Sequence, residues 1–138
     1  MRRARGLTLV EILTLVVALV VIAAVAIPLW RVHVLHEKRS EAMKTLLEIQ
    51  AAQDRHFGEH ARYAGAGELV MDAESANYRY EIQRSSDQLS YLATAHAVAI
   101  PGEELDARCA RMSIDQHGRR SARDQSGGDS TGDCWNRK

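Results

Sequence analysis

Residues 6–12 read Gly-Leu-Thr-Leu-Val-Glu-Ile, GLTLVEI, and one carboxylate in that stretch governs the reading of the whole 138-residue chain. From Leu7 to Trp30 the only strongly polar residue is Glu11, since Thr8 and Thr14 can return their hydroxyls to a helix backbone. About 24 residues at 1.5 Å each span roughly 36 Å, enough to cross the hydrocarbon core of a bilayer. Arg2, Arg3 and Arg5 precede the run, so the positive-inside rule puts the N-terminus in the cytoplasm and the remainder across the membrane. An acid at the centre of such a helix costs roughly 2.5–3.5 kcal/mol. Glu11 therefore needs a counter-charge or a task.

Three readings of the segment compete. A simple signal anchor leaves Glu11 unexplained. A cleaved secretory signal finds an A-x-A pattern at Ala24-Val25-Ala26, but neither accounts for Glu11 nor for the amphipathic pattern that follows Pro28 without a linker. The third reading starts from the basic leader that ends at Gly6.

That leader, the glycine, Leu-Thr-Leu-Val-Glu and the long apolar run together resemble the type III signal of type IV pilins and pseudopilins. The resemblance implies that a prepilin peptidase cuts between Gly6 and Leu7 on the cytoplasmic side, that Leu7 is then N-methylated, and that the apolar segment is kept. The family usually places Phe where this chain has Leu7. Gly6 suits an extended entry into a narrow protease site. Cleavage frees the Leu7 amine four residues before Glu11, and residues i and i+4 are helix neighbours. In hydrocarbon the two charges are far better paired than alone. The resemblance implies pairing between chains during filament assembly, which makes Glu11 the expected assembly residue that sets axial register.

Pro28 lacks an N–H and leaves the Ala24 carbonyl without its helical donor, so a kink or local melting is expected there. A proline at this place also resembles the pilin pattern, whereas Val20 stands where the family often has a helix-loosening glycine. Beyond Trp30, an interfacial aromatic, apolar Leu35, Ala42, Met43, Leu46, Leu47, Ile49 and Phe57 fall near helical spacing among charged residues. No glycine or proline interrupts residues 29–57, and Gly58 is the expected terminator.

HFGEH, His56 to His60, spells an inverted zinc-protease motif. Gly58 sits between the histidines where a continuous helix is least expected, and no third ligand offers itself downstream. These residues, like His33 and His36, read as surface histidines. Residues 61–76 read as a loop. NYRYEIQR (77–84) alternates, with Tyr78, Tyr80 and Ile82 on one face and Arg79, Glu81 and Gln83 on the other. LSYLATAHAV (89–98) places Tyr91 and small alanines on one face, fitting an inner strand that a helix can approach. A third strand near 109–115 turns Ala110, Met112 and Ile114 inward. Asp115-Gln116-His117-Gly118 reads as a tight turn leading to a short fourth strand at 119–123. The tail 124–133 reads as irregular and flexible.

The even cysteine count, Cys109 and Cys134, downstream of an export signal reads as one disulfide in an oxidising compartment, with two buried thiols as the alternative. The expected fold is α+β. It resembles the pilin αβ-roll, one long N-terminal helix on about four antiparallel strands with a disulfide-closed C-terminal loop. CARMSIDQHG followed by CW also resembles minor pilins of the PilE type, in which the cysteines bracket a variable D-region. The expected parts are a leader at 1–6, a transmembrane and filament-core helix at 7–30, its amphipathic second half at 31–58, and a sheet domain at 59–138 with the D-region loop at 109–134.

Formal charge is zero, which gives no global bias toward polyanions. Locally, however, arginines crowd the last two strands. Arg111, Arg119, Arg120 and Arg123 form the candidate surface for DNA or a partner, with interleaved aspartates and few aromatics weighing against DNA. No nucleophile with a base, phosphate loop or complete metal set is legible, so neither an enzyme nor a cofactor is expected. The resemblance implies a pilus subunit, minor rather than major, whose partners are other pilins, the prepilin peptidase, the pilus assembly platform and the inner membrane, ending in an extracellular fibre that supports motility, adhesion or DNA uptake. A type II secretion pseudopilin and a DNA receptor of natural transformation are the alternatives.

Overall fold

The computed structural model describes residues 8–69, 75–101 and 105–136. Gly6 and Leu7, the expected cleavage and methylation sites, lie outside the described residues. The chain divides into two units, residues 1–36 and 37–138.

Helix α1 runs Leu9–His60 and carries Pro28 inside it. The helix continues through Pro28, so of the kink or local melting expected there the melting is not seen. In the first unit the apolar residues are solvent-facing all round; Leu9, Leu13, Val17, Val21 and Val25 are each more than half exposed. This one helix is long and apolar enough to cross a membrane. Within the second unit α1 becomes one-sided and buries Ala42, Leu46, Ile49 and Gln53.

The helix outlasts its expected stop. Gly58 is helical, and the chain leaves the helix at Ala61, whose φ of 53° is left-handed and whose N–H reaches the Phe57 carbonyl at 2.8 Å. That is the αL type of helix ending, here built on alanine rather than the usual glycine. Because the helix is continuous there, His56 and His60 do share a face, their rings stacked 4.2 Å apart. No third His, Cys, Asp or Glu completes a metal set with them among the described residues.

Four strands follow: β1 Tyr78–Arg84, β2 Tyr91–Ala97, β3 Arg111–Asp115 and β4 Arg120–Arg123. They form one antiparallel meander in the order β1-β2-β3-β4. The inner face follows from period-2 alternation. Tyr80, Ala95, Met112 and Ala122 lie in one rank, and Ile82, Ala93 and Ile114 in the next. Ala93 and Ala95 of β2 and Met112 and Ile114 of β3 are fully buried and, with Tyr78 and Tyr91, form one core with the helix residues Ala42, Leu46 and Ile49. Gln53, also fully buried, donates to the Ala64 carbonyl at 2.9 Å and accepts from the Ala64 N–H at 2.8 Å, pinning the chain just after the helix.

The turn at 115–118 forms as expected. Gly118 has φ 71° and donates to the Asp115 carbonyl, while the Asp115 carboxylate accepts from the His117 and Arg119 N–H groups, both at 2.9 Å. The tail differs from expectation. Asp124 accepts from Ser126 and the Gly128 N–H, Asp129 forms a bridge with Arg123, and Thr131–Trp135 makes a short helix, α2. Its polar residues satisfy each other and the backbone, so the tail is structured although it lacks an apolar pattern. The disulfide Cys109–Cys134 closes it, beside the Arg108–Asp133 ion pair. The Trp135 indole N–H, bonded to the Ser121 carbonyl at 2.9 Å, anchors the end on β4.

Candidate assembly site and nucleic-acid surface

Glu11 begins α1 in a reciprocal cap. Its carboxylate accepts from the Thr8 N–H at 2.8 Å and the Thr8 hydroxyl at 2.9 Å, while the Thr8 hydroxyl oxygen accepts from the Glu11 N–H at 3.3 Å. This is the capping box, T-x-x-E, which satisfies orphan donors at a helix start. The carboxylate thus has a partner three residues upstream in its own chain, besides the amine that processing would create. The T-x-x-E spacing is the signal for it in the sequence.

In the second unit, a buried ion pair fixes the start of the C-terminal loop. Arg39 donates to Asp106 from Nε at 2.6 Å and from Nη2 at 2.8 Å. Asp106 also accepts from the Tyr78 hydroxyl at 3.3 Å and from the Cys109 N–H at 3.1 Å. Burial opposes ionisation of Asp106, but the Arg39 hydrogen bonds and charge, with the Cys109 N–H and Tyr78, outweigh it and lower its pKa. The same partner raises Arg39. This network orients Cys109 for its bond to Cys134.

The four arginines of the candidate surface do not form one patch. Arg119 sits at the turn and pairs with Asp115 at 2.7 Å. Arg120 opposes Ile114 and lies over the Trp135 ring, 5.2 Å from its centroid. Arg111 and Arg123 oppose each other directly on the outer face. Their rank continues across the whole sheet: His96 opposes Arg111, and Arg79 opposes His96. Arg79, His96, Arg111 and Arg123 thus stand in one row, one from each strand. Beside it runs a second row, Glu81, Thr94, Ser113 and Ser121, with the Thr94 and Ser113 hydroxyls 3.1 Å apart. A groove of about 250 Å³ lies along this face, lined by His96, Arg111, Arg123 and the hydroxyl row. Alternation placed Arg79 outward in the sequence, but nothing there gave the register that aligns it with Arg111 and Arg123.

An apolar N-terminal helix whose second half packs on a four-stranded antiparallel meander, with a disulfide closing the C-terminal loop, defines the type IV pilin class. The solved type IV pilin from Shewanella oneidensis shares this fold with a TM-score of 0.50 at 21% identity, over 62% of this chain and 88% of that one. The type IV major pilin protein PilA of Myxococcus xanthus (strain DK1622) is 34% identical over 86 residues, which is 61% of this chain. The match spans only 39% of that relative's length. More particularly, the family model described as type IV minor pilin ComP, DNA uptake sequence receptor, matches residues 28–113, and the chain belongs to that family. The match takes in Arg79, His96 and Arg111 and ends before Arg119, Arg120 and Arg123.

Proposed function

We propose that this chain is a minor subunit of a type IV pilus. It inserts once in the bacterial inner membrane with its N-terminus cytoplasmic and residues 31–138 outside, is processed between Gly6 and Leu7, is N-methylated at Leu7, and passes through the pilus assembly platform into an extracellular filament. Residues 7–30 pack against the same segments of other pilins, and Glu11 sets the register of each incoming subunit. The observation that carries this reading is the contrast within α1. Its first part exposes apolar side chains on every side with a single capped carboxylate, and its second part has one buried face. An all-round apolar helix needs lipid or other helices around it. Membership in a pilin family favours the pilus over the secretion pseudopilus.

The test is N-terminal mass spectrometry of the mature chain together with the pilus content of cells carrying Glu11→Val. A methylated Leu7 terminus, and a variant that inserts in the membrane but is missing from sheared pili, are expected. A chain starting at Ile27, or normal incorporation of the variant, would overturn the proposal.

A second reading has a specific observation behind it. The family is described as a DNA uptake sequence receptor, and the outer sheet face presents a row of basic side chains along a groove. In this reading the filament-borne domain holds DNA outside the cell. Retardation of duplex DNA by the detergent-solubilised chain, lost on adding salt, tests it; no retardation at low salt would sink it.

A further inference from the structure

We infer that the row Arg79–His96–Arg111–Arg123, rather than the arginine cluster at the β3–β4 turn, is where a nucleic-acid backbone seats. This rests on the DNA-binding reading and assigns its residues. Like charges directly opposite each other on neighbouring strands destabilise a sheet, and here Arg111 faces Arg123 in register. The protein offsets little of that repulsion. Arg123 donates to the Gly127 carbonyl at 2.9 Å and feels Asp129; His96 meets Glu81 at 3.2 Å. The Arg79 and Arg111 side chains are exposed and make no hydrogen bond or ion pair among the described residues. A polyanion laid across the row would remove the repulsion that the fold otherwise tolerates.

The geometry also selects the kind of contact. Strands about 4.8 Å apart give a four-strand row roughly 14 Å long. Because the phosphate backbone winds round the duplex, such a strip reaches only the few phosphates of one strand that face it. The hydroxyls of Thr94, Ser113 and Ser121 lie alongside as further phosphate donors. The side chains of Tyr78, Tyr80 and Tyr91 belong to the opposite, core face, and Trp135 lies under Arg120. Among the described strand residues the outer face carries no Phe, Tyr or Trp, and its His96 imidazole is held by Glu81 at 3.2 Å, so unstacked bases find no aromatic platform there. The row therefore grips the backbone of a duplex and reads no bases. Any preference for particular sequences must come from elsewhere.

The experiment is fluorescence anisotropy of a labelled mixed-sequence duplex with the full chain in detergent micelles, over a salt series. The triple variant Arg79→Gln/Arg111→Gln/Arg123→Gln is expected to flatten the log–log salt slope by about 2.7, close to 0.9 per cation, and to weaken binding tenfold or more at low salt. Arg119→Gln/Arg120→Gln is expected to leave the slope unchanged. Arg111→Gln alone should raise the melting temperature while weakening binding, a pairing that a merely solvated face would not give. If the wild-type chain does not bind, the DNA reading falls and the row with it. If it binds and the triple variant keeps the same slope, or if the loss follows Arg119 and Arg120 instead, the row is overturned while the DNA reading stands. Tighter binding of single-stranded DNA than of duplex would likewise overturn the backbone-only assignment.

Discussion

Arg39 and Asp106, 67 residues apart in sequence, meet through two hydrogen bonds of 2.6 and 2.8 Å. The pair ties the second half of α1 to the loop that leads into Cys109. Its side chains are only 14% and 4% exposed, so neither charge has water to fall back on. Removing one member of such a pair leaves the other buried and uncompensated, at about 3–5 kcal/mol. Asp106→Ala should therefore cost several-fold more than a typical surface substitution in urea unfolding of the solubilised chain. The double variant Asp106→Leu/Arg39→Met should recover part of the loss. A cost below about 1 kcal/mol for Asp106→Ala would show the pair to behave as an exposed one.

The same carboxylate contributes to acid sensitivity. Asp106 has a lowered pKa, and Glu68 is held down at about 2 by its hydrogen bond from Arg62, the Gly65 N–H and the charges of Arg62 and Arg84. A carboxyl with a depressed folded pKa contributes stability that is present above its unfolded value and lost as pH falls through the folded one. The urea midpoint should stay level down to roughly pH 5, then fall steadily toward about pH 2. Glu68→Gln should flatten part of that descent at its acid end. An unchanged acid limb in this variant would remove Glu68 from the account.

The strands were legible because their alternation is clean. Tyr78, Tyr80 and Ile82 against Arg79, Glu81 and Gln83 leave one choice of faces, and the small residues of β2 marked the side where a helix could approach. Register was not legible, because it is fixed by hairpin geometry at Ser85–Gln88 and Asp115–Gly118 and by packing, none of which the spacing of arginines reveals. Four arginines near one another in sequence therefore looked like a patch, while Arg79, more than 30 residues upstream of Arg111, joins the row. Arg39 and Asp106 were hidden for a related reason: each lies in a run of charges where nothing singles out the pair that becomes buried.

The helix end gives a prediction with the opposite sign. Ala61 carries φ 53°, a left-handed conformation that costs a residue with a Cβ roughly 1–2 kcal/mol. Glycine adopts it freely but is more flexible when unfolded. Ala61→Gly should raise stability by about 0.5–1 kcal/mol, read as a higher urea midpoint. Gly58→Ala, in the helix interior with open space around the new Cβ, should also stabilise, by about 1 kcal/mol. A loss of stability in Ala61→Gly would mean that the chain leaves the helix elsewhere.

Thr8 separates two accounts of Glu11. If the carboxylate serves chiefly to start α1, Thr8→Val and Glu11→Val should injure filament incorporation alike, because each breaks the capping box. If Glu11 is needed for the amine of a neighbouring chain, the cap only stores it. Thr8→Val then removes the two hydroxyl bonds of the cap and leaves the residue 8 N–H on the carboxylate, at a cost of about 1 kcal/mol of helix capping, and incorporation stays near the wild-type level while Glu11→Val abolishes it. Counting both variants in sheared pili against their membrane levels distinguishes the cases. The assembly role requires the two substitutions to diverge, since a helix cap can be lost at the membrane edge where water replaces it, whereas a missing counter-charge between helices packed in a filament has no substitute.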